Sequence, residues 1–242
     1  MKILVACEES QAVTIELRKL GHEAYSCDII ECSGGHPEWH IMQDVLSLLN
    51  PEVHTLHDCQ YNGFHFQTMD GIKHRVRGRW DMIIAFPPCT FLTITGNRWF
   101  DVKRYGEKAI KRLKDREKAK QFFMAIANAD CDKIVIENPI GVMSTHFRKP
   151  DQIIHPYYFA ESENDENCER KSTCLWLKNV DPLKYEIKFN PRVVQYKNGK
   201  GTDSPWHMNT MGLPSDERSK QRSKTYPGVA KAIAIQMCGE VK

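Results

Sequence analysis

Short apolar runs, each closed by polar or turn-forming residues, organise this chain from its start. Residues 2–7 (KILVAC) are the first run and read as a buried strand. Val13, Leu17 and Leu20 then recur at helical spacing, and Gly21 stops that helix. Residues 23–27 (EAYSC) read as a second strand that ends at Asp28. A strand, a loop, a helix and a second strand in this order predict an α/β fold with a doubly wound, mostly parallel sheet. Residues 80–86 (WDMIIAF) and 133–136 (KIVI) are continuously apolar, as strands covered on both faces must be. Between them lies the longest helical pattern, residues 104–129, basic first and apolar later at Phe122, Phe123 and Ile126. Residues 172–177 (STCLWL) read as a strand and residues 229–237 as an apolar helix.

The interruptions are as informative as the runs. Residues 30–40 are irregular, and residues 45–49 form a short helical turn after Asp44. Residues 51–79 read as an insertion, with a hairpin around Met69-Asp70-Gly71. Residues 179–212 are rich in Pro, Asn, Gly and Lys and predict loops. The expected division is therefore a catalytic domain over 1–178 and 213–242, with 179–212 as a small appendage. A chain of 242 residues is long enough for one such domain. No window approaches the roughly 18 apolar residues of a membrane span. The first apolar run is too short for a signal peptide and meets Glu8-Glu9 with no small-residue cleavage site. Nine scattered cysteines point to a reducing cytoplasm. His54, His57, Cys59 and His65 cluster in sequence, but their spacing fits no standard zinc pattern, and no metal is expected.

A net charge of +3 says little about partners, whereas its distribution says more. Residues 98–120 hold ten Lys/Arg against four Asp/Glu, and residues 184–224 hold nine against four. The first segment follows Cys89, where a polyanion would lie.

Ligands of an open parallel sheet bind beyond the carboxyl ends of its strands. The first strand delivers Ala6, Cys7, Glu8, Glu9 and Ser10 there, and the second delivers Asp28 and Ile29. Two further apolar strands deliver Pro87-Pro88-Cys89 and Glu137-Asn138. A thiol fixed after two prolines suits a nucleophile, and a carboxyl in the same cleft suits a proton donor. Cytosine needs this pair for chemistry at carbon 5. Thiolate addition at carbon 6 makes carbon 5 nucleophilic, while a protonated carboxyl at ring nitrogen 3 stabilises the developing charge. Asp28 is placed for a ribose hydroxyl and Asp44 for an adenine amine, or either for an ordinary helix cap.

In these residues the chain resembles the cytosine-5 DNA methyltransferases, of the compact type carried by phages and prophages. Phe86-Pro-Pro-Cys89 is similar to that family's catalytic loop, and Glu137-Asn138-Pro139 to its Glu-Asn-Val. Ser26-Cys27-Asp28 and Gln43-Asp44-Val45 resemble its cofactor motifs. Arg170 with residues 172–177 resembles its arginine-bearing strand, and Ser223-Lys-Thr-Tyr-Pro-Gly-Val-Ala230 its C-terminal motif. The resemblance implies a Rossmann-like class I methyltransferase that takes S-adenosylmethionine. It implies Cys89, Glu137, Asn138 and Arg170 as catalytic residues. Residues 6–10, Asp28, Ile29, Asp44, Pro87, Lys224 and Thr225 would hold the cofactor. The substrate would be duplex DNA, contacted by Thr90, Arg98, Lys103 and Arg104, with Trp99 or Phe100 supporting a duplex opened by base flipping. A monomer is expected.

Three departures stand out. The family's Phe-x-Gly-x-Gly loop is replaced by Val5-Ala-Cys-Glu-Glu-Ser10. Only about 35 residues are left for target recognition, which implies loose or very short recognition, or help from a partner. Lys224 stands where the family has Asn, and a lysine there could pair with the carboxylate of carboxy-S-adenosylmethionine, giving 5-carboxymethylcytosine. Two other classes compete. An amino-methyltransferase would carry a polar residue before the prolines and an aromatic after them, where this chain has Phe86 and Cys89. A non-catalytic DNA-binding module would have lost the thiol or the acid.

Overall fold

The computed structural model describes residues 1–56, 59–196 and 199–240. It opens with β1 (Lys2–Ala6), α1 (Ala12–Lys19) and β2 (Glu23–Asp28), as the apolar pattern predicts. A short β3 (His40–Met42) follows. Residues 52–77 build a separate antiparallel sheet of β4 (Glu52–Leu56), β5 (Cys59–Gln67) and β6 (Lys73–Arg77). The chain then returns to the main sheet as β7 (Met82–Ala85). It continues through α2 (Val102–Tyr105), α3 (Glu107–Ala127), β8 (Ile134–Pro139), α4 (Met143–His146), β9 (Gln152–Ile154) and β10 (Thr173–Lys178). The remainder is a two-residue ladder of β11 (Val194–Gln195) and β12 (Thr202–Asp203), then α5 (Pro205–Thr210), α6 (Ser215–Ser223) and α7 (Pro227–Ile233). A π-helical turn over Ala234–Cys238 extends α7.

The main sheet has seven strands in the order β3-β2-β1-β7-β8-β10-β9. All neighbours from β3 to β8 are parallel, and β10 runs antiparallel to both β8 and β9. This is the doubly wound order of six parallel strands with a reversed strand inserted beside one edge, compatible with a Rossmann-like fold. Alternation along each strand sends side chains to opposite faces, and both faces are covered. Leu4, Ile83, Ile136 and Trp176 pack against Phe123 and Ile126 of α3 and against Phe64 and Phe66 of the small sheet. Ile3, Val5, Ile84 and Leu175 pack against Val13 and Leu17 of α1 and against Val229 and Ile233 of α7. Strands buried on two sides have no polar face to display, which is why their sequences read as unbroken apolar runs.

Several boundaries differ from the sequence reading. The long helical pattern is broken at Gly106, whose positive φ of 52° separates α2 from α3. The strand expected at residues 133–136 runs on to Pro139, because Asn138 and Pro139 pair with Cys174 and Thr173 of β10. The edge strands β3 and β9 are three residues each, too short to show a period. Helix α6 falls in a polar stretch that has no apolar stripe. Among the described residues no helix is long and apolar enough to cross a membrane. His57, one of the clustered histidines, lies outside the described residues, while His54 and His65 stack with ring centroids 4.0 Å apart.

Candidate active site

Strands β1 and β7 lie side by side, yet the chain leaves them in opposite directions, to β2 and toward β8. Their carboxyl ends therefore open into a crevice, the place where doubly wound sheets take ligands. Residues 7–10 line it from β1, and residues 86–89 from β7. Phe86 begins the second segment with a backbone bond to the Ala6 carbonyl (2.9 Å), so Ala6 is engaged in the sheet.

The Cys89 loop is tied to the end of β8. The buried Asn138 amide donates to the Pro87 carbonyl at 2.6 Å. Leu92 and Thr93 donate to the Cys89 carbonyl in a tight turn. The same loop reaches Gly141 through an isolated bridge from Thr93 and a bond from the Val142 amide to the Leu92 carbonyl. A Cβ on Gly141 would lie 2.1 Å from that carbonyl oxygen, so this close approach needs glycine. Asn138 thus positions the Cys89 loop through its amide nitrogen, while its Oδ1 is buried with no partner. Replacing it with alanine leaves a buried carbonyl unpaired. A loss of about 1–3 kcal/mol is expected in chemical denaturation.

Cys89, Glu137 and Lys171 meet at the strand ends. Burial pushes the Cys89 thiol up, and the nearby Glu137 carboxylate adds to this, while Lys171 opposes it. Glu137 keeps some surface at the floor of the cleft but is surrounded by protein, and burial raises its pKa. Lys171 and the Thr173 hydroxyl pull it the other way. Burial depresses Lys171, and the two acids sustain its charge. Its ammonium also donates to the backbone carbonyls of Arg222 (3.0 Å) and Lys224 (3.4 Å). Arg170, assigned by sequence to this place, is exposed. Alternation along the approach to β10 turns Arg170 outward and Lys171 inward.

The β1 loop turns through left-handed backbone without using glycine. Cys7 and Gln11 both take left-handed conformations, with φ of 59° and 58°. Gln11 is fully buried and holds the 33–36 segment through bonds to both backbone groups of His36. Glu8, expected to bind cofactor, is instead consumed by α1. Its carboxylate accepts from the Val13 amide (2.6 Å), the Thr14 amide (3.2 Å) and the Thr14 hydroxyl (2.7 Å). Burial lifts its pKa to about 7 against those bonds. Glu9 accepts from the Ser33 hydroxyl with one oxygen, and the other, Oε1, is buried with no partner.

Asp28 and Asp44 converge on Cys7. Burial raises the Cys7 thiol first, and the carboxylates of Asp28 and Asp44 add to it. Asp28 is itself raised by burial, opposed chiefly by the amides of residues 29 and 30. Asp44 caps the helical turn at Val45–Leu48 through the Leu46 amide, leaving its exposed second oxygen clear. Ile29 is 74 % exposed beside them, an apolar side chain held out at the mouth of the crevice. Ser10 is half-buried on the same loop.

The opposite wall comes from the C-terminal segment. Ser223, Thr225 and Tyr226 share a small cavity with Glu137, Lys171 and Thr173. The Tyr226 hydroxyl is buried without a partner there. Lys224 is exposed, and its carbonyl, not its ammonium, is the group engaged by Lys171.

Thr90, Arg98, Lys103 and Arg104 are all exposed on the rim beyond Cys89. Arg98 lies over the Trp99 ring and Arg104 over Tyr105. Arg116 anchors this rim, donating to the Phe91 carbonyl (2.8 Å) and to the Asn97 amide oxygen (2.7 Å) while stacking 3.4 Å from the centre of Phe100.

No protein-family model matches this chain, and no curated protein is significantly similar to it. The site therefore speaks through its own residues. Sequence reasoning missed Lys171, Tyr226 and Arg116. Lys171 had a signal, since it stands two residues before Thr173 on the same side of an approaching strand. Arg116 had none, because its role exists only once α3 lies along the 91–100 loop.

Proposed function

We propose that this protein transfers a methyl group from S-adenosylmethionine to carbon 5 of cytosine in DNA, with Cys89 as the attacking nucleophile. The observation that carries this reading is the meeting of Cys89, Glu137 and Lys171 at one sheet end, beside an acid-lined crevice. Two acids and one cation in a dry cleft favour a single negative charge shared between thiol and carboxyl. The state with a thiolate and a protonated carboxyl is the one cytosine chemistry uses. The Cys89 thiolate bonds to carbon 6 as Glu137 gives its proton to nitrogen 3. Carbon 5 would take the methyl group as the donor's sulfonium–methyl bond breaks with its electron pair left on the donor sulfur; carbon 5 then loses its own proton to a solvent base, and the bond between Cys89 and carbon 6 breaks to release the thiolate. The proton on nitrogen 3 then returns to Glu137.

The cofactor supplies an electrophilic methyl group when bound. The crevice fits it by charge. Glu9 offers a buried oxygen with no partner, and Asp28 and Asp44 add two carboxylates. These groups suit a cationic ligand rich in hydroxyl and amine donors and repel a pyrophosphate. Ile29 supplies an apolar surface for a nucleoside. The basic rim with Arg98, Lys103 and Arg104 supports DNA as the substrate.

Nucleoside mass spectrometry of DNA from cells expressing the protein and its Cys89→Ala variant tests the reading. A modified cytosine in the first and none in the second is expected, and the mass names methyl or carboxymethyl. Unmodified cytosine in both overturns it. Lys171 acts by balancing charge, so Lys171→Met is expected to slow transfer by about 10²-fold. The same variant should move the ascending limb of the pH–rate profile upward, because the thiolate loses its nearest cation. Lys171→Arg should restore part of both effects.

A further inference from the structure

The β4–β5–β6 sheet has two faces with different fates. Phe64, Phe66 and Val76 fill the core, while the residues between them point outward. The outward set on β5 and β6 includes Tyr61, His65, Gln67, Lys73, Arg75 and Arg77, joined on β4 by His54 opposite Tyr61 and by one acid, Glu52, opposite Gly63. Lys73, Arg75 and Arg77 are exposed and fall at every second position of one strand, about 7 Å apart. They span about 14 Å, over which one DNA strand carries about four charges.

These cations are held in place yet unspent. Both guanidinium groups sit over the Tyr61 ring, at 5.8 Å for Arg75 and 5.3 Å for Arg77. Among the described residues none of the three forms an ion pair. Elsewhere on the surface Arg79, Arg148 and Arg192 each pair with a carboxylate, so the contrast is local. His54 and His65 stack beside Tyr61 and extend the same face. Three cations in a row without an ion pair, two of them over one ring, match a polyanion of regular spacing better than a lipid surface or an apolar peptide.

We propose that this outer face is a second DNA-binding surface, which grips backbone phosphates of a duplex away from the Cys89 cleft. It reads no base sequence. The inference goes beyond the catalytic reading and does not depend on transfer.

The test is a binding titration of the Cys89→Ala protein on a fluorescent 30-base-pair duplex across a range of salt concentrations. The same protein with Arg75→Ala and Arg77→Ala is expected to bind more weakly at low salt. Its plot of log affinity against log salt should lose about 1.8 of slope, 0.9 for each phosphate released. Lys73→Ala alone should lose about 0.9, and it decides the matter if the double variant melts at a lower temperature. An unchanged slope in a folded variant overturns the proposal. So does binding to phosphatidylserine vesicles that depends on Arg75 and Arg77 while the DNA slope stays fixed.

Discussion

Cys89→Ala is expected to lose the covalent complex with DNA containing 5-fluorocytosine, and cytosine modification is expected to fall by about 10⁴-fold or more. The expectation rests on position. Pro87 and Pro88 stiffen the approach, Asn138 fixes the Pro87 carbonyl, and the turn at Leu92 and Thr93 closes over the Cys89 carbonyl. The thiol therefore faces the cleft that Glu137 and Lys171 share. Alanine removes the sulfur and leaves these contacts intact, so the fold and the affinity for DNA should persist. Denaturing gel electrophoresis after incubation with the fluorinated duplex reads the adduct directly. An adduct that survives in the Cys89→Ala protein would remove the nucleophile assignment. Among the other cysteines, Cys27, Cys131, Cys168 and Cys174 are buried, so a replacement nucleophile would have to come from elsewhere.

Glu137→Gln is expected to lower the maximal rate by about 10²–10⁴-fold and to change the shape of its pH dependence. In the native protein the thiol must lose a proton while the carboxyl must keep one. The rate should rise with pH as the pair gives up its first proton and fall as it gives up the second. Burial raises both groups, so the optimum lies above that of an exposed thiol–carboxyl pair. Glutamine cannot ionise, which should abolish the descending limb. The ascending limb then reports the Cys89 thiol alone beside a neutral neighbour, which ionises above the pair's first proton loss, so this limb should move to higher pH. A rate measured from pH 5 to 10 on one duplex checks both limbs. A Glu137→Gln protein that keeps the native rate and both limbs would exclude Glu137 as the proton donor.

The same cleft explains what could be read early and what could not. Strands β1 and β7 and the first half of β8 announce themselves because burial on two faces demands apolar residues at successive positions. Their polar endings and that of β2, Cys7–Ser10, Asp28, Cys89 and Glu137, then follow from the rule that ligands gather at strand carboxyl ends. The extra β-sheet was legible as a hairpin through Asp70-Gly71, but its first strand, β4, was not. Glu52, Val53, His54 and Thr55 have no apolar alternation, because β4 lies beyond the edge of the core it joins.

Roles within the site were a different matter. Glu8 and Glu9 are neighbours of the same type, and one closes the start of α1 while the other bonds the Ser33 hydroxyl and keeps a buried oxygen without a partner. Arg170 and Lys171 are also neighbours, and one turns to solvent while the other reaches Glu137. Sequence by itself determined the buried central strands and the order of polar groups at their ends along the chain, since these depend on local pattern. Only the tertiary structure decided which of two adjacent side chains enters the cleft, because one residue of register reverses the direction a side chain takes. It alone also brought Asn138 to Pro87, Lys171 to the C-terminal carbonyls and Arg116 to the rim, contacts between segments far apart in sequence that no local period encodes.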